Sequence, residues 1–171
     1  MNAYFNELAL VSKVAFLDDK RAFDQLVKQY QSPVRRLFLK LTLGDNALSD
    51  DLAQETFFKA YINIASFMAT ARFGTWLYRV GYNVFLEHTR KAKITLPENE
   101  IPDEGSSGNV EDTMDIDKAL SYLRTEERLC ITLSFMNGLP HGEIAKITGM
   151  PEGTVKTHIS RGKEKLKAVL K

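Results

Sequence analysis

The sequence predicts an all-α protein: two small helical domains joined by a flexible acidic linker, the C-terminal one containing a helix-turn-helix. Three observations predict it. Apolar residues recur at spacings of three and four almost throughout, with no sustained alternation at two. One stretch, ITLPENEIPDEGSSGNVEDT, breaks that rhythm with prolines, glycines, serines and acids. Near the end stands HGEIAKITGMPEGTVKTHISRGKEKL, a short apolar-patterned segment, a Gly-Met-Pro turn and a longer basic segment. The predicted boundaries are residues 1–93 for the first domain, 94–114 for the linker and 115–171 for the second domain.

In chain order, Phe23, Leu26, Val27 and Tyr30 make one helical stripe, and Val34, Leu37, Phe38 and Leu41 make another. Pro33 between them is expected to start a new helix or kink one, with Ser32 as its cap. In SDDLAQETFFKAYINI, Ser49 is the expected cap. Acids fill the first turn, and Leu52, Ala53, Phe57, Ala60, Tyr61 and Ile64 form the buried stripe. Adjacent Phe57 and Phe58 point about 100° apart on a helix, so one of them is expected to face a partner. The loop ASFMATARFG leads into TWLYRVGYNVFLEHTRKAK, one long helix with a basic C-terminal end that suits the helix dipole.

The linker composition cannot bury enough apolar area to order itself. Its roughly 20 residues span about 70 Å when extended. That is about two turns of duplex at ~34 Å each, so the two domains could bind well-separated stretches of one DNA. Beyond it lie MDIDKALSYL and TEERLCITLSFMNGL, with Thr125 as an expected cap and Gly138 as an expected stop.

Charge supports the same division. The formal net charge is only +1, but residues 1–93 hold 13 Lys/Arg against 9 Asp/Glu. Residues 94–117 hold no basic residue and 8 acidic ones, and residues 118–171 hold 10 basic and 5 acidic. Two basic blocks therefore flank an acidic connector, a pattern that suits two anion-binding surfaces. No apolar run approaches the roughly 20 residues of a membrane span. MNAYFNELAL lacks the basic start and apolar core of a secretory signal, so a cytoplasmic protein without membrane insertion is expected. The lone Cys130, inside the apolar RLCITLSF, reads as a small buried thiol.

The helix-turn-helix carries the functional signal. Ile144 and Ile147 supply core contacts, and Ala145 lets the helices approach closely. Gly149 suits a positive φ, and Pro151 pre-sets the next helix start. Val155, Ile159, Gly162, Leu166 and Val169 make the buried stripe of the second helix. Its other face offers Thr154, Lys156, Thr157, His158, Ser160 and Arg161, donors and cations on the part that enters a major groove. Lys163, Lys165, Lys167 and Lys171 suit phosphate contacts, and Arg161 suits a guanine edge. A solvated basic helix on an ordinary bundle is the plainer alternative.

GEIAKITGMPEGTVKTHISRGKEKL resembles promoter-reading region 4 of bacterial sigma factors. DLAQETFFKAY resembles their region 2.2, and FGTWLYRVGYNVFLEHTRK resembles their regions 2.3 and 2.4. The absence of a large domain between them resembles the extracytoplasmic-function (ECF) group. The resemblance implies that the chain binds core RNA polymerase, recognises promoter elements and helps open DNA to initiate transcription. It implies polymerase binding by Asp51, Leu52, Gln54, Glu55 and Phe58. For the melted minus-ten strand it implies Arg72, Phe73, Arg79 and Asn83, with Trp76 and Tyr82 able to stack on bases and Arg90, Lys91 and Lys93 gripping phosphates. For Trp76, core packing is the favoured reading. For the double-stranded minus-thirty-five element it implies Thr154, Lys156, Thr157, Ser160, Arg161 and Lys163. The family's linker threads the RNA channel of polymerase; a plain solvated tether is the alternative. Sigma factors of this group are commonly held by an anti-sigma factor at the membrane, but no residue here points to one. Three positions depart from the family pattern. Gly81 and Gly162 are expected to weaken their helices by up to ~1 kcal/mol each, and Thr148 replaces a more usual apolar residue.

No catalytic constellation is visible. His88, His141 and His158 lie far apart, no metal-ligand spacing occurs, and no glycine-rich phosphate loop is present, so neither enzyme activity, metal nor cofactor is expected. Two non-sigma readings remain. A conventional repressor or activator would dimerise on a palindromic site. A sigma-like decoy would bind polymerase without productive initiation.

Overall fold

The computed structural model describes residues 3–95 and 116–170; the expected linker, 94–114, falls almost wholly outside the described residues. Among those residues there are helices and no strands. α1 spans Ala3–Leu17, α2 Lys20–Leu41, α3 Asn46–Asn63 and α4 Phe73–Thr95. A 3-10 turn, Ile64–Ser66, precedes the loop into α4. The second domain has α5 Ile116–Leu120, α6 Thr125–Ile131, a π-helical segment Thr132–Met136, α7 His141–Thr148 and α8 Glu152–Val169.

The first core forms where α2, α3 and α4 press their stripes together. Leu26, Val34, Leu37, Phe38, Leu52, Ala60 and Leu77 are almost fully buried there. Full burial of such side chains stabilises by about 1.5–3 kcal/mol each. That packing explains the first correction. Pro33 lies inside one continuous α2 and begins no new helix. Proline removes one backbone hydrogen bond, while Leu26 on one side of it and Val34, Leu37 and Phe38 on the other share a single core. Ser32 is consequently no cap.

Two further caps differ. Asp45 caps α3 by accepting from the Leu48 amide at 3.0 Å. Ser49 sits a turn inside, buried, its hydroxyl 2.8 Å from that of Thr42. Arg124 precedes α6, and Thr125 is its first helical residue. The Glu127 carboxylate reaches back to accept from the Arg124 amide at 3.0 Å, as a capping box does. Gly138 and Gly149 do adopt positive φ, +66° and +74°, and end their helices.

The two expected weak glycines turn out to be contact points. A Cβ on Gly81 would sit 3.3 Å from Phe38 Cζ and from Thr56 Cγ2, where α4 approaches α2 and α3. At Gly162 it would sit 2.7 Å from Ile131 Cγ1, inside the α6–α8 contact. Thr148 also has a place: its hydroxyl donates to the Ile144 carbonyl at 2.9 Å and accepts from the Met150 amide at 3.2 Å, closing the turn.

The second domain holds a buried carboxylate paired with a lysine that reaches the surface. Glu127, with 3% of its side chain exposed, accepts from Lys165 Nζ at 2.7 Å. Burial raises the Glu127 pKa, but the Lys165 bond and the Arg124 amide outweigh it, leaving a lowered value. A carboxylate depressed in the folded state contributes stability that is fully present above its ordinary value of 4.5 and lost as pH falls through the lower folded value. Thermal melts across that range are therefore expected to fall more steeply in the wild-type chain than in Glu127→Gln, which is also less stable at neutral pH. Parallel curves would contradict it. Cys130 is fully buried as expected, and burial pushes its thiol up to about 12.

The two domains touch. α7 packs along α4, and α6 and the π segment pack against α2. Arg128, 8% exposed, donates to the Leu120 and Leu123 carbonyls of its own domain at 3.0 and 2.9 Å, and to Leu41 at the end of α2 at 3.1 Å.

Candidate nucleic-acid and polymerase interfaces

The outer face of α3 follows from its spacing. Asp51, Glu55, Phe58 and Ile62 step by four, three and four, so they share one face, and all are exposed. Gln54 is exposed beside them. Phe58 is 66% exposed and Ile62 60%, while Phe57 packs against the core. The two adjacent phenylalanines thus divide as expected. Leu52 does not belong to this face. It is 2% exposed and part of the core, so the expected surface role is corrected to a packing one. Ile62 joins this face beyond the expected residues, and the 51–55–58–62 spacing contains it. Glu55 lies 3.4 Å from Lys59, which also bonds Glu87 of α4 at 2.6 Å and ties the two helices together.

The second surface runs along α4. Arg72, Arg79, Asn83 and Arg90 are exposed and share one face by spacings of seven, four and seven. Lys91 and Lys93 are exposed nearby, Lys91 3.6 Å from Glu87. Two expected readers are corrected. Phe73 is 2% exposed; its ring packs against Tyr30 at 5.6 Å and Phe67 at 5.8 Å between centroids. Tyr82 is 7% exposed, so it has no face to stack on a base. Both lie on the inward stripe of α4, which its bulk of aromatic residues concealed. Trp76 is shared: partly buried against the core, 5.5 Å from the Phe73 ring, it also lines a surface pocket.

That pocket, about 430 Å³, lies between the loop before α4 and the first turns of α4. Phe67, Met68, Thr75, Trp76 and Arg79 are among its walls. Its volume suits a small planar group among aromatic and polar contacts. Met68 is 80% exposed at its rim, and the next residue, Ala69, holds a left-handed φ of +53°. A strained non-glycine residue beside a pocket is a common feature of binding loops. Lys146 of α7 also borders the pocket. Phe67 and Met68 of the loop and Thr75 of α4 join the site through this pocket and carry no signal in the sequence that sets them apart.

The third surface is α8. Val155 and Ile159 are buried under it, with Gly162 against α6. Thr154, Lys156, Thr157, Ser160, Arg161 and Lys163 are all exposed. Lys156 is 3.6 Å from Glu152, and the Thr157 hydroxyl donates to the Gly153 carbonyl at 3.0 Å. Lys163 sits 4.9 Å over the Phe135 ring, a cation–π contact that holds its stem against the π segment. Surface pairs of this kind are weak and readily exchanged for phosphate. Within α3 the buried Thr56 hydroxyl donates to the Leu52 carbonyl at 2.7 Å, and the helix packs on α2 and α4.

Two family models match the chain: sigma-70 region 2 over residues 26–94 and sigma-70 region 4 over residues 113–166. The ECF RNA polymerase sigma factor SigW of Bacillus subtilis is 32% identical over 90% of this chain and 91% of its own length. This chain belongs to the ECF group of RNA polymerase sigma factors. The sigma-E factor of Haemophilus influenzae is 30% identical over 96% of this chain and 95% of its own. Among solved structures, the sigma factor RpoE of Bartonella quintana, in complex with the anti-sigma factor NepR, superposes with a TM-score of 0.71. It is 25% identical and covers 86% of this chain and 96% of its own. CnrH, solved with the cytosolic domain of CnrY, shares the fold with a TM-score of 0.72 at 23% identity. The fold class and the sigma assignment read from the motifs therefore stand. This sigma factor serves transcription initiation. Among its described residues no helix is long and apolar enough to cross a membrane.

Proposed function

We propose that this ECF sigma factor works in the cytoplasm through three faces, with no chemistry of its own. The outer face of α3, with Asp51, Gln54, Glu55 and Phe58, docks on core RNA polymerase. The α4 face and its pocket, with Arg72, Arg79 and Asn83 and the phosphate-gripping Arg90 and Lys91, take the melted minus-ten strand. The α8 face, with Thr154, Lys156, Thr157, Ser160, Arg161 and Lys163, reads the double-stranded minus-thirty-five element. In this division residues 1–93 form the polymerase and minus-ten domain and residues 115–171 the minus-thirty-five domain. The observation that carries the reading is α8: six donor or basic side chains, all exposed, on a helix anchored underneath by Val155 and Ile159. Such a helix can enter a major groove without unfolding anything. An anti-sigma protein is a further proposed partner, since RpoE was solved with one.

A conventional dimeric repressor fits less well, because Phe58 and Ile62 make an exposed apolar strip outside the DNA-reading faces. Arg161→Ala tests the division of labour. An Arg–guanine pair discriminates by roughly 1–3 kcal/mol, so upstream-element use is expected to fall about 5- to 150-fold. Run-off transcription on templates with and without that element measures it. Capture by core polymerase is expected to stay unchanged, and its loss would contradict the division.

A further inference from the structure

The pocket before α4 has an aromatic wall, and that wall is anchored from α1. Phe67 and Trp76 line the pocket with their ring centroids 5.8 Å apart. Phe73 lies buried behind both, 5.8 Å from Phe67 and 5.5 Å from Trp76. Behind Phe73 stands Tyr30 of α2, edge to face at 5.6 Å. The Tyr30 hydroxyl donates to the Glu7 carboxylate of α1, which is 7% exposed. A carboxylate that deep is costly to bury unless it is hydrogen-bonded.

Tyr30 also meets the backbone of α4. The Trp76 amide bonds back to the Arg72 carbonyl at 3.2 Å, while the first amides of the helix, Gly74 among them, need partners from outside it. A Cβ on Gly74 would stand 3.0 Å from Tyr30 Cε1 and 3.1 Å from the hydroxyl oxygen, so glycine is what lets the phenol lie against this first turn. Burial, and then Glu7, push the Tyr30 pKa well up, against an opposing pull from the Gly74 backbone. That pull is the effect of an amide N–H directed at the hydroxyl oxygen. The phenol thus gives its hydrogen to Glu7 and offers its oxygen to the start of α4.

We propose that Tyr30 and Glu7 are positioning residues for the strand pocket: the Glu7–Tyr30 bond fixes the phenol against Gly74 and Phe73, and so fixes the wall that Phe67 and Trp76 present to a base. The proposal rests on the reading of that pocket as the single-strand site. Neither residue lines the pocket; both act through the rings in front of them. α1, which carries none of the three faces, thereby takes part in strand capture.

The test uses core polymerase with the full chain and fork templates whose minus-ten strand is single-stranded. A photocrosslinker on Met68→Cys, 80% exposed at the pocket rim, identifies the nucleotide seated there, Cys130 being buried. Each nucleotide of the strand is then made abasic in turn, and the loss of affinity is recorded. Base stacking on aromatic side chains predicts a loss of about fivefold or more at the crosslinked nucleotide. In Tyr30→Phe that loss is expected to shrink to about twofold, while the losses at other nucleotides stay as in wild type. Glu7→Gln, whose amide oxygen still accepts from the hydroxyl, is expected to behave as wild type. Tyr30→Phe also leaves a buried carboxylate unpaired and lowers stability. Tyr30→Phe/Glu7→Leu removes both partners, and is expected to melt close to wild type while its response at the crosslinked nucleotide stays small. A full loss at that nucleotide in both Tyr30→Phe and the double variant would overturn the proposal. So would a change shared equally by every nucleotide, which marks a structural role alone. No crosslink to the strand, or no base dependence at the crosslinked nucleotide in wild type, would sink the reading of the pocket and the positioning role with it.

Discussion

Phe58→Asp is expected to weaken capture by core polymerase by about 30-fold or more. Buried aromatic anchors at interfaces are worth about 2 kcal/mol or more on truncation, and a charge in their place adds a desolvation cost. The free fold does not depend on this ring, which is 66% exposed on α3. The melting temperature is accordingly expected to stay within a few degrees of wild type. Pull-down with purified core polymerase, alongside a thermal melt, measures both. Unchanged capture would remove α3 from the docking surface, and a large drop in melting would show that Phe58 has a packing role instead. Ile62→Asp, one turn along the same face, is expected to act in the same direction.

Gly162→Val is expected to give the largest loss of stability. Its Cβ would stand 2.7 Å from Ile131 Cγ1, closer than carbon atoms approach without a shift, and a tight 3.2 Å from Cδ1. Overpacking of this kind costs about 1–3 kcal/mol and can cost more where backbone must move. Here α8 would have to lift from α6, straining the Lys165–Glu127 pair nearby. For a domain of this size each kcal/mol lowers the melting temperature by about 4–8 °C. Ile131→Ala in the Gly162→Val background is expected to recover part of the loss, because the two side chains compete for one space. Full stability of Gly162→Val alone would contradict the contact, since helix propensity by itself favours replacing glycine.

The same glycine shows what was legible in the sequence and what was not. Gly162 and Gly81 read as local weaknesses, because propensity sees only the helix that contains them. Their use is tertiary: each lets a second helix approach within contact of the backbone. Pro33 misled for the same reason, as a local break overruled by a core on both sides of it. Patterns with local causes were read well. The Gly149 turn, the buried Val155–Ile159 stripe and the split between Phe57 and Phe58 all follow from helix geometry alone. For site residues, type and chain position were visible but direction was not. Leu52, Phe73 and Tyr82 carry suitable chemistry, and half a helical turn decides that they face inward. α1 shows no clear stripe in the sequence, since apolar residues such as Phe5, Phe16 and Leu17 point outward and blur it. The Thr75–Glu143 and Tyr78–Asn137 contacts join residues 68 and 59 positions apart, a separation that no local pattern encodes.

Run-off transcription from a promoter library, with purified core polymerase and this chain as the sole sigma factor, tests the central claim most directly. Transcripts are expected from templates that share two elements about two helical turns apart, the upstream one losing its influence in Arg161→Ala. Transcription that starts without regard to template sequence, or none at all despite a chain bound to polymerase, would contradict it.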